Sequence, residues 1–362
     1  MNFNYHLPTK VFFGEDSVKK NASALALGER AYIVTGKTSG KASGAVGDVT
    51  TALRDLKIPY EIFEGIQNNP DVEQCRSIGG LARGFKADFI IGIGGGSPLD
   101  ASKAVAVFAA NDIPAQEVFN YGYKNGVLPI AAIPTTSGTG SEVTQYSVMT
   151  WHKIRSKRSF GGELTFPRVA LLDPKYTDSL SLNSTRYTAM DAFTHCFESM
   201  ISIKASPFTD ADNMYALNLF GQCMGALESG EVSGLRESLM LISLIGGSTI
   251  AQTGTTLMHA MGYPLTYFYD IPHGLANAMV MPAYMRVVEK FRPARLEAAL
   301  SSLGFKYGDV IDYLNRNYPV TIAPCADELR LWSEQTLQQA SVKNTGLQLD
   351  ADEMYQIFKS IF

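Results

Sequence analysis

Three of the five histidines in this chain, His195, His259 and His273, fall with Asp191 in one short part of its second half. Asp191 and His195 are four residues apart in Asp191-Ala192-Phe193-Thr194-His195-Cys196-Phe197-Glu198, so on a helix they share one face and can grip one object. Downstream, the stretches Thr255 to Tyr263 and Ile271 to Gly274 add two more imidazoles. One carboxylate oxygen and three imidazole nitrogens suit a divalent iron or zinc ion with a position left open for substrate, a catalytic arrangement rather than a structural one. Taken singly, each residue reads more simply as a satisfied core histidine or a side-chain pair along a helix. Their concentration decides for the metal, since His6 and His152 lie far away.

The elements that must position these residues come from a chain of 362 residues, long enough for two domains. With 46% hydrophobic and 18% charged residues it is an ordinary globular sequence, not a disordered one. A net charge of -4 argues against a nucleic-acid or anionic-membrane surface, both of which need a basic excess, and leaves small molecules as partners. Cys75, Cys196, Cys223 and Cys325 form no Cys-x-x-Cys pair, so neither a zinc ribbon nor a disulfide framework is indicated and a reducing cytoplasm fits. Met1 to His6 lacks the pattern of a secretory signal, and Leu239 to Ile250, the longest greasy stretch, reads as a buried helix too short to span a bilayer.

The first half alternates apolar β-branched runs with helical patterns, the signature of a parallel sheet with crossover helices. Strands are expected at Ala31 to Thr35, Tyr60 to Phe63, Ala87 to Ile93, Leu128 to Ile133 and Val169 to Pro174. Helices are expected at Val49 to Leu56, Cys75 to Gly84 and Leu99 to Ala110, with Ser39 to Gly47 as the nearest thing to a flexible loop. Beyond Lys175 to Leu182 the pattern turns helical, in Ser184 to Ser202, Asp210 to Leu227, Leu235 to Gln252 and Leu275 to Lys290. The plan is an α/β domain over residues 1–178 and an all-helical domain over 179–362.

Gly92-Ile93-Gly94-Gly95-Gly96-Ser97 follows a buried strand and opens a helix, so backbone amides there would face an anion. The match to the dinucleotide fingerprint is imperfect: Ser97 stands where the last glycine should, and no acid is well placed about 20 residues on. Ser97 as N-cap, Pro98 at the first helical position and Asp100 three residues after the cap describe a well-capped helix without any ligand. Three consecutive glycines need another reason. So does Thr135 to Ser141, seven small or hydroxyl-bearing residues suited to wrap phosphate or ribose oxygens. Two such turns at strand ends of one sheet favour a nucleotide.

With Gly94 to Asp100, Pro134 to Val143, Leu172-Asp173-Pro174, Asp191 to Glu198 and His259 to Asn277 in this order, the chain resembles the iron-containing, or group III, alcohol dehydrogenase family. It is most similar to the NADP-dependent butanol and 1,3-propanediol dehydrogenase-like members. The resemblance fades after about Val288. It implies a dehydroquinate synthase-like fold, with an α/β dinucleotide-binding domain, a helical metal-binding domain and a cleft between them for hydride transfer. It also implies a homodimer or higher homo-oligomer in which the N-terminal sheet takes part. Carried over, the metal ligands are Asp191, His195, His259 and His273. Gly95, Gly96 and Ser97 would hold the pyrophosphate, Thr135, Thr136 and Thr139 the nicotinamide-side ribose and phosphate, and Asn69 and Lys157 would touch the cofactor.

Two departures from the family pattern matter. Tyr263 stands where many relatives carry a further histidine, which makes it a candidate substrate contact but not a group that titrates near neutral pH; no catalytic residue separate from the metal site is assigned. Gly36, at the tip of the first sheet strand, replaces the aspartate of members that prefer NAD. An acid there would accept the adenosine ribose hydroxyls and repel a 2′-phosphate. Here Gly36 removes the repulsion, Thr38 and Ser39 offer hydroxyls, and Lys37 or Lys41 can neutralise a dianion, so NADP(H) is expected over NAD(H).

The ligand set suits zinc as well as Fe2+, and iron follows from the resemblance. The reading is a metal-dependent alcohol dehydrogenase or aldehyde reductase, with Phe160, Met258 and Tyr263 lining a pocket for a short-chain alcohol or aldehyde. A metal-dependent hydrolase needs the same ligands without a nucleotide cradle, and a glycerol or hydroxyacid dehydrogenase is the alternative within the fold.

Overall fold

Each buried strand of the first half sends successive side chains to opposite faces, and each face has its own helices to cover it. The structure, a computed structural model, describes residues 2–362. Its six-stranded parallel sheet runs in the order β1-β8-β5-β4-β2-β3, from β1 (Lys10–Phe13), β2 (Ala31–Gly36), β3 (Tyr60–Ile66), β4 (Phe89–Gly94), β5 (Ile130–Pro134) and β8 (Val169–Leu172). Tyr32, Val34, Ile90 and Ile130 point to one face. There they meet α4 (Val72–Gly84) and α5 (Gly96–Ala110) through Val72, Cys75, Ile78, Val105 and Phe108. Ala31, Ile33, Phe89, Ile91, Ile93 and Ile133 point to the other, against Val18 of α1 (Ser17–Lys20) and Val46, Val49 and Leu53 of α3 (Ala45–Asp55). Every residue of β2, β4 and β5 is buried, as strands covered on both faces must be.

Strand order reverses direction between β2 and β4, because the chain runs from β2 to the edge strand β3 and then crosses back. Open α/β sheets bind ligands beyond the strand C-termini at that switch point. The loop after Gly36 and the glycine turn after β4 sit there, and a Cβ on Gly36 would lie 3.6 Å from Pro98 Cγ.

The residues after 181 form a second unit, together with residues 2–6. It holds α6 (Leu182–Ile201), α7 (Pro207–Ser229), α8 (Arg236–Thr253), α9 (Leu257–Tyr269), α10 (His273–Phe291), α11 (Pro293–Leu303), α12 (Tyr307–Asn317), α13 (Ala326–Leu337) and α14 (Ala351–Lys359). One core joins Phe193, Phe197, Phe220, Met258, Tyr284, Trp332 and Phe358. From Ala189 to Ile201 α6 is buried on every side, which is how Asp191 and His195 come to lie in an interior. Among the described residues no helix is long and apolar enough to cross a membrane.

The parallel α/β half and the helical half follow the sequence pattern; the division falls at 181/182, against 178/179 from the sequence. Several local expectations give way. β1 and the antiparallel hairpin of β6 (Ser147–Trp151) and β7 (Ser156–Phe160) have no apolar alternation long enough to announce them. The segment 39–47 is not a loop: α2 (Ser39–Ala42) forms one helical turn and α3 starts at Ala45. Helix α5 begins at Gly96 with Gly95 as an N-cap that has no side-chain bond, so Ser97 is not the cap. Ser97 Oγ accepts instead from Asn69 N at 3.2 Å, and the Asp100 carboxylate accepts from Ser141 Oγ and Val148 N.

Candidate metal centre and nucleotide cradle

Helix α6 carries Asp191 and His195 one turn apart, and α9 and α10 bring His259 and His273 to the same face. His259 Nε2 lies 3.0 Å from His195 Nε2 and 3.7 Å from Asp191 Oδ1, and His273 Nε2 lies 3.7 Å from the same oxygen. Donors around a tetrahedral ion at about 2.1 Å stand roughly 3.4 Å apart, so this donor set is spaced for a divalent cation. Asp191, His195 and His259 offer donor atoms all within 4.8 Å of one another, and all three are buried. His273 is the most open of the four, its side chain 26% exposed.

Close backbone approach makes this convergence possible. A Cβ on Gly274 would run into the Tyr187 carbonyl and lie 3.2 Å from Asp191 Cβ, so only glycine lets the start of α10 dock on α6. On α8, a Cβ on Gly246 would stand 3.1 Å from His195 Cβ.

Glu198, fully buried on α6, is the functional residue that the sequence reading left unassigned. One carboxylate oxygen accepts from Thr256 N at 2.9 Å, Thr256 Oγ1 at 2.5 Å and His259 N at 3.3 Å, satisfying amides at the start of α9. The other faces His259 Nδ1. A proton on Nδ1 shared with Glu198 leaves the Nε2 lone pair for the metal side, so the pairing fixes both ring orientation and tautomer. Asp191, His195 and Glu198 have a 0, 4, 7 spacing along one helix face, a signal that was available in the sequence. Asn277 on α10 donates to Asp191 Oδ1 at 3.2 Å, while its own Oδ1 is buried without a partner.

The electrostatics favour a cation. Burial alone would raise the Asp191 carboxyl, but the charges of His195, His273 and His259 hold it far below the usual range. Burial would likewise lower His259, yet Glu198 and Asp191 push it up to about 10. The same negative charge that favours a proton on His259 also attracts a cation. Tyr263 stacks on His273, with ring centroids 5.8 Å apart. Phe160 is packed with Phe119 in the core of the α/β unit, and Met258 is fully buried in the helical core. Both were expected at the pocket because they are large and apolar, and the cores claim them for the same reason.

In the α/β unit the glycine turn and the threonine turn press on each other. A Cβ on Gly95 would stand 3.0 Å from the Thr136 side chain, and one on Gly96 would collide with Thr139. Thr135 N donates to the Gly94 carbonyl at 2.9 Å, and Asn69 hangs from Ser97 Oγ with its own carbonyl held by Thr150 Oγ1 at 3.0 Å. Thr135 Oγ1 and Ser137 Oγ are buried without a hydrogen-bond partner, the state in which hydroxyls await a ligand's oxygens. Lys157 is buried on β7, opposite Thr150. Gly36 is buried, Lys37 and Thr38 are exposed, Ser39 is half-buried, and Lys41 is engaged by Glu64 at 2.7 Å. The loop therefore offers Lys37 as its uncommitted cation, where the sequence left Lys37 and Lys41 equivalent.

Comparison with known proteins covers both units. The family model for iron-containing alcohol dehydrogenase matches residues 8–174, and that for the C-terminal part of the Fe-containing alcohol dehydrogenase family matches residues 185–362. The chain is 28% identical to the NADPH-dependent butanol dehydrogenase of Clostridium saccharobutylicum, over 99% of this chain and 97% of that one. It is 34% identical to the sulfoacetaldehyde reductase of Bilophila wadsworthia, over 78% and 74% of the two chains. The crystal structure of an iron-containing alcohol dehydrogenase from Thermotoga maritima superposes with a TM-score of 0.92, at 35% identity and 99% coverage of both chains.

Proposed function

Since the chain belongs to the iron-containing alcohol dehydrogenase family, we propose that it moves hydride between a short-chain alcohol or aldehyde and a nicotinamide dinucleotide, with NADP(H) preferred. The observation that carries the reading is the buried donor set of Asp191, His195 and His259, completed by His273, with the His259 tautomer fixed by Glu198. Fe2+ is the proposed ion, from the family, and Zn2+ is its competitor. A divalent ion held by these four residues supplies Lewis-acid polarisation of an alcohol or carbonyl oxygen. The chain's own part is to hold the donors in place, keep the site dry and leave Tyr263 and His273 at its more open side. In the other unit, Gly95, Gly96 and Ser97 offer helix N-terminal amides to a pyrophosphate, and Thr135, Thr136 and Thr139 offer hydroxyls, with Asn69 and Lys157 beside them.

The hydrolytic alternative finds no support among the relatives above, which are named as a dehydrogenase and a reductase. Those two also differ in substrate, so a panel of short alcohols and aldehydes, assayed with both nucleotides and with Fe2+ or Zn2+ added, is the test. A protein that turns over none of them with either nucleotide is not this enzyme.

Cofactor choice is read at Gly36. A Cβ there meets Ser39 Oγ, Ile66 O and Pro98 Cγ at 3.4, 3.5 and 3.6 Å, ordinary contacts that an aspartate can accept. Gly36→Asp would place a carboxylate where a 2′-phosphate is expected, and like charges near 4 Å at a surface repel by about 1–4 kcal/mol. The NADPH-to-NADH ratio of kcat/KM should fall by about fivefold or more, chiefly through KM. An unchanged ratio in steady-state kinetics would show that this loop does not read the phosphate.

A homodimer or higher oligomer is also proposed, because β1 is an edge strand that leaves one row of backbone groups unpaired within the sheet. Light scattering at micromolar concentration should give at least twice the chain mass; a monomer discards the idea. Four cysteines without a disulfide, three of them buried, fit a reducing cytoplasm.

A further inference from the structure

Lys103 is 1% exposed, on the first turns of the helix that the glycine turn opens, and none of the chemistry above uses it. Its ammonium donates to Ser141 Oγ at 2.7 Å, Tyr146 O at 2.6 Å and Thr144 Oγ1 at 3.3 Å, so all three of its hydrogens go to the last residue of the threonine turn and the residues just after it. Its nearest carboxylate oxygen, on Asp100, is farther off at 3.9 Å. Asp100 lies one turn earlier on the same helix face and binds the same segment: Oδ1 accepts from Ser141 Oγ at 2.5 Å, Oδ2 from Val148 N at 2.8 Å, and its carbonyl from Ser147 Oγ at 2.8 Å. Ser141 N in turn donates to Thr139 Oγ1 at 3.3 Å, at the point where Thr139 packs on Gly96.

We propose that Lys103 is a positioning residue for nucleotide binding, strapping segment 141–146 to helix α5 so that the threonine turn and the glycine turn present their donors in one fixed relation. The inference rests on the nucleotide-dependent reading above. If Lys103 only neutralised Asp100, its donors would point at the carboxylate; instead they cross to three different residues of the neighbouring segment. Burial pulls Lys103 down and the charges of Asp100 and Glu142 hold it back, which leaves it at about 8. Lys157 adds its charge from β7 to the same acid, Asp100. A nucleotide bridging both turns gains from their being fixed in advance, and Lys103 itself need touch neither nucleotide nor substrate.

The test is a titration of the full-length, metal-loaded chain with NADPH and with NADH by calorimetry, alongside steady-state kinetics. Lys103→Met keeps the length of the side chain and removes the charge and all three donors. With its circular dichroism unchanged, it should bind the preferred nucleotide about tenfold more weakly, while kcat at saturating nucleotide stays within about twofold. Lys103→Arg should recover most of the affinity. Ser141→Ala, which cuts the bond to both Lys103 and Asp100 without leaving a buried charge bare, should weaken binding in the same direction and decides the matter if Lys103→Met does not fold. Parental dissociation constants in Lys103→Met, or in Ser141→Ala where only that variant folds, overturn the inference. A parent that binds neither nucleotide overturns the functional reading, and this one with it.

Discussion

His273→Ala should lose its metal and its turnover together while keeping its fold. Among the four donors His273 is the one whose removal disturbs the interior least, because its side chain is 26% exposed, whereas those of Asp191 and His259 are 4% and 3% exposed. The cost in stability should be about 1 kcal/mol, that of an ordinary substitution. The cost in function should be far larger. Lewis-acid polarisation is worth several kcal/mol, and with each roughly 1.4 kcal/mol a factor of ten, kcat/KM should fall about a thousandfold. Elemental analysis after desalting should find little metal per chain. A variant that keeps stoichiometric metal would remove His273 from the ligand set and leave Asp191, His195 and His259. Asp191→Asn should behave similarly but less completely, since an amide oxygen can coordinate but does not neutralise charge.

Glu198 gives the second large effect, and its conservative replacement is the more informative one. Glu198→Ala strips a buried partner from His259 Nδ1 and from two amides at the start of α9, so a loss of about 3–5 kcal/mol in stability is expected. Glu198→Gln preserves volume but cannot accept hydrogen bonds at both ends. Turned with its oxygen to Thr256, it presents an NH2 group to His259 Nδ1 and so favours the tautomer that places the proton on Nε2, the nitrogen the metal needs. Turned the other way, it points donors at the Thr256 amide. Metal affinity, measured by competition with a chromophoric chelator, should therefore fall by about 10–100-fold in Glu198→Gln. Equal affinity in the parent and in Glu198→Gln would mean that the carboxylate serves only to cap α9.

What the sequence determined by itself is what local pattern and residue type can encode. Buried β-branched runs alternating with helical periods specified the parallel sheet, because strands covered on both faces must be apolar along their whole length. The clustering of Asp191, His195, His259 and His273 in a histidine-poor chain specified a metal-type donor set, because few other reasons gather those residue types. The order of the glycine, threonine and histidine blocks specified the family.

What the tertiary structure decided are contacts between residues far apart in the chain. Glu198 lies three residues from His195 and 61 from His259, and only the docking of α9 on α6 reveals that it orients the distant one. Asp100 reads as a helix-capping acid when only its neighbours are known, but its partners are Ser141 and Val148, 41 and 48 residues on, since the hairpin β6–β7 folds back over α5. Lys103 is sealed inside, because segment 141–146, 38 to 43 residues on, supplies an acceptor for each of its hydrogens. Lys41 and Lys37 were equivalent until Glu64, on the neighbouring strand, took one of them. A polar residue's type states what it can bind; which partner it binds is set by packing of elements that no local window contains.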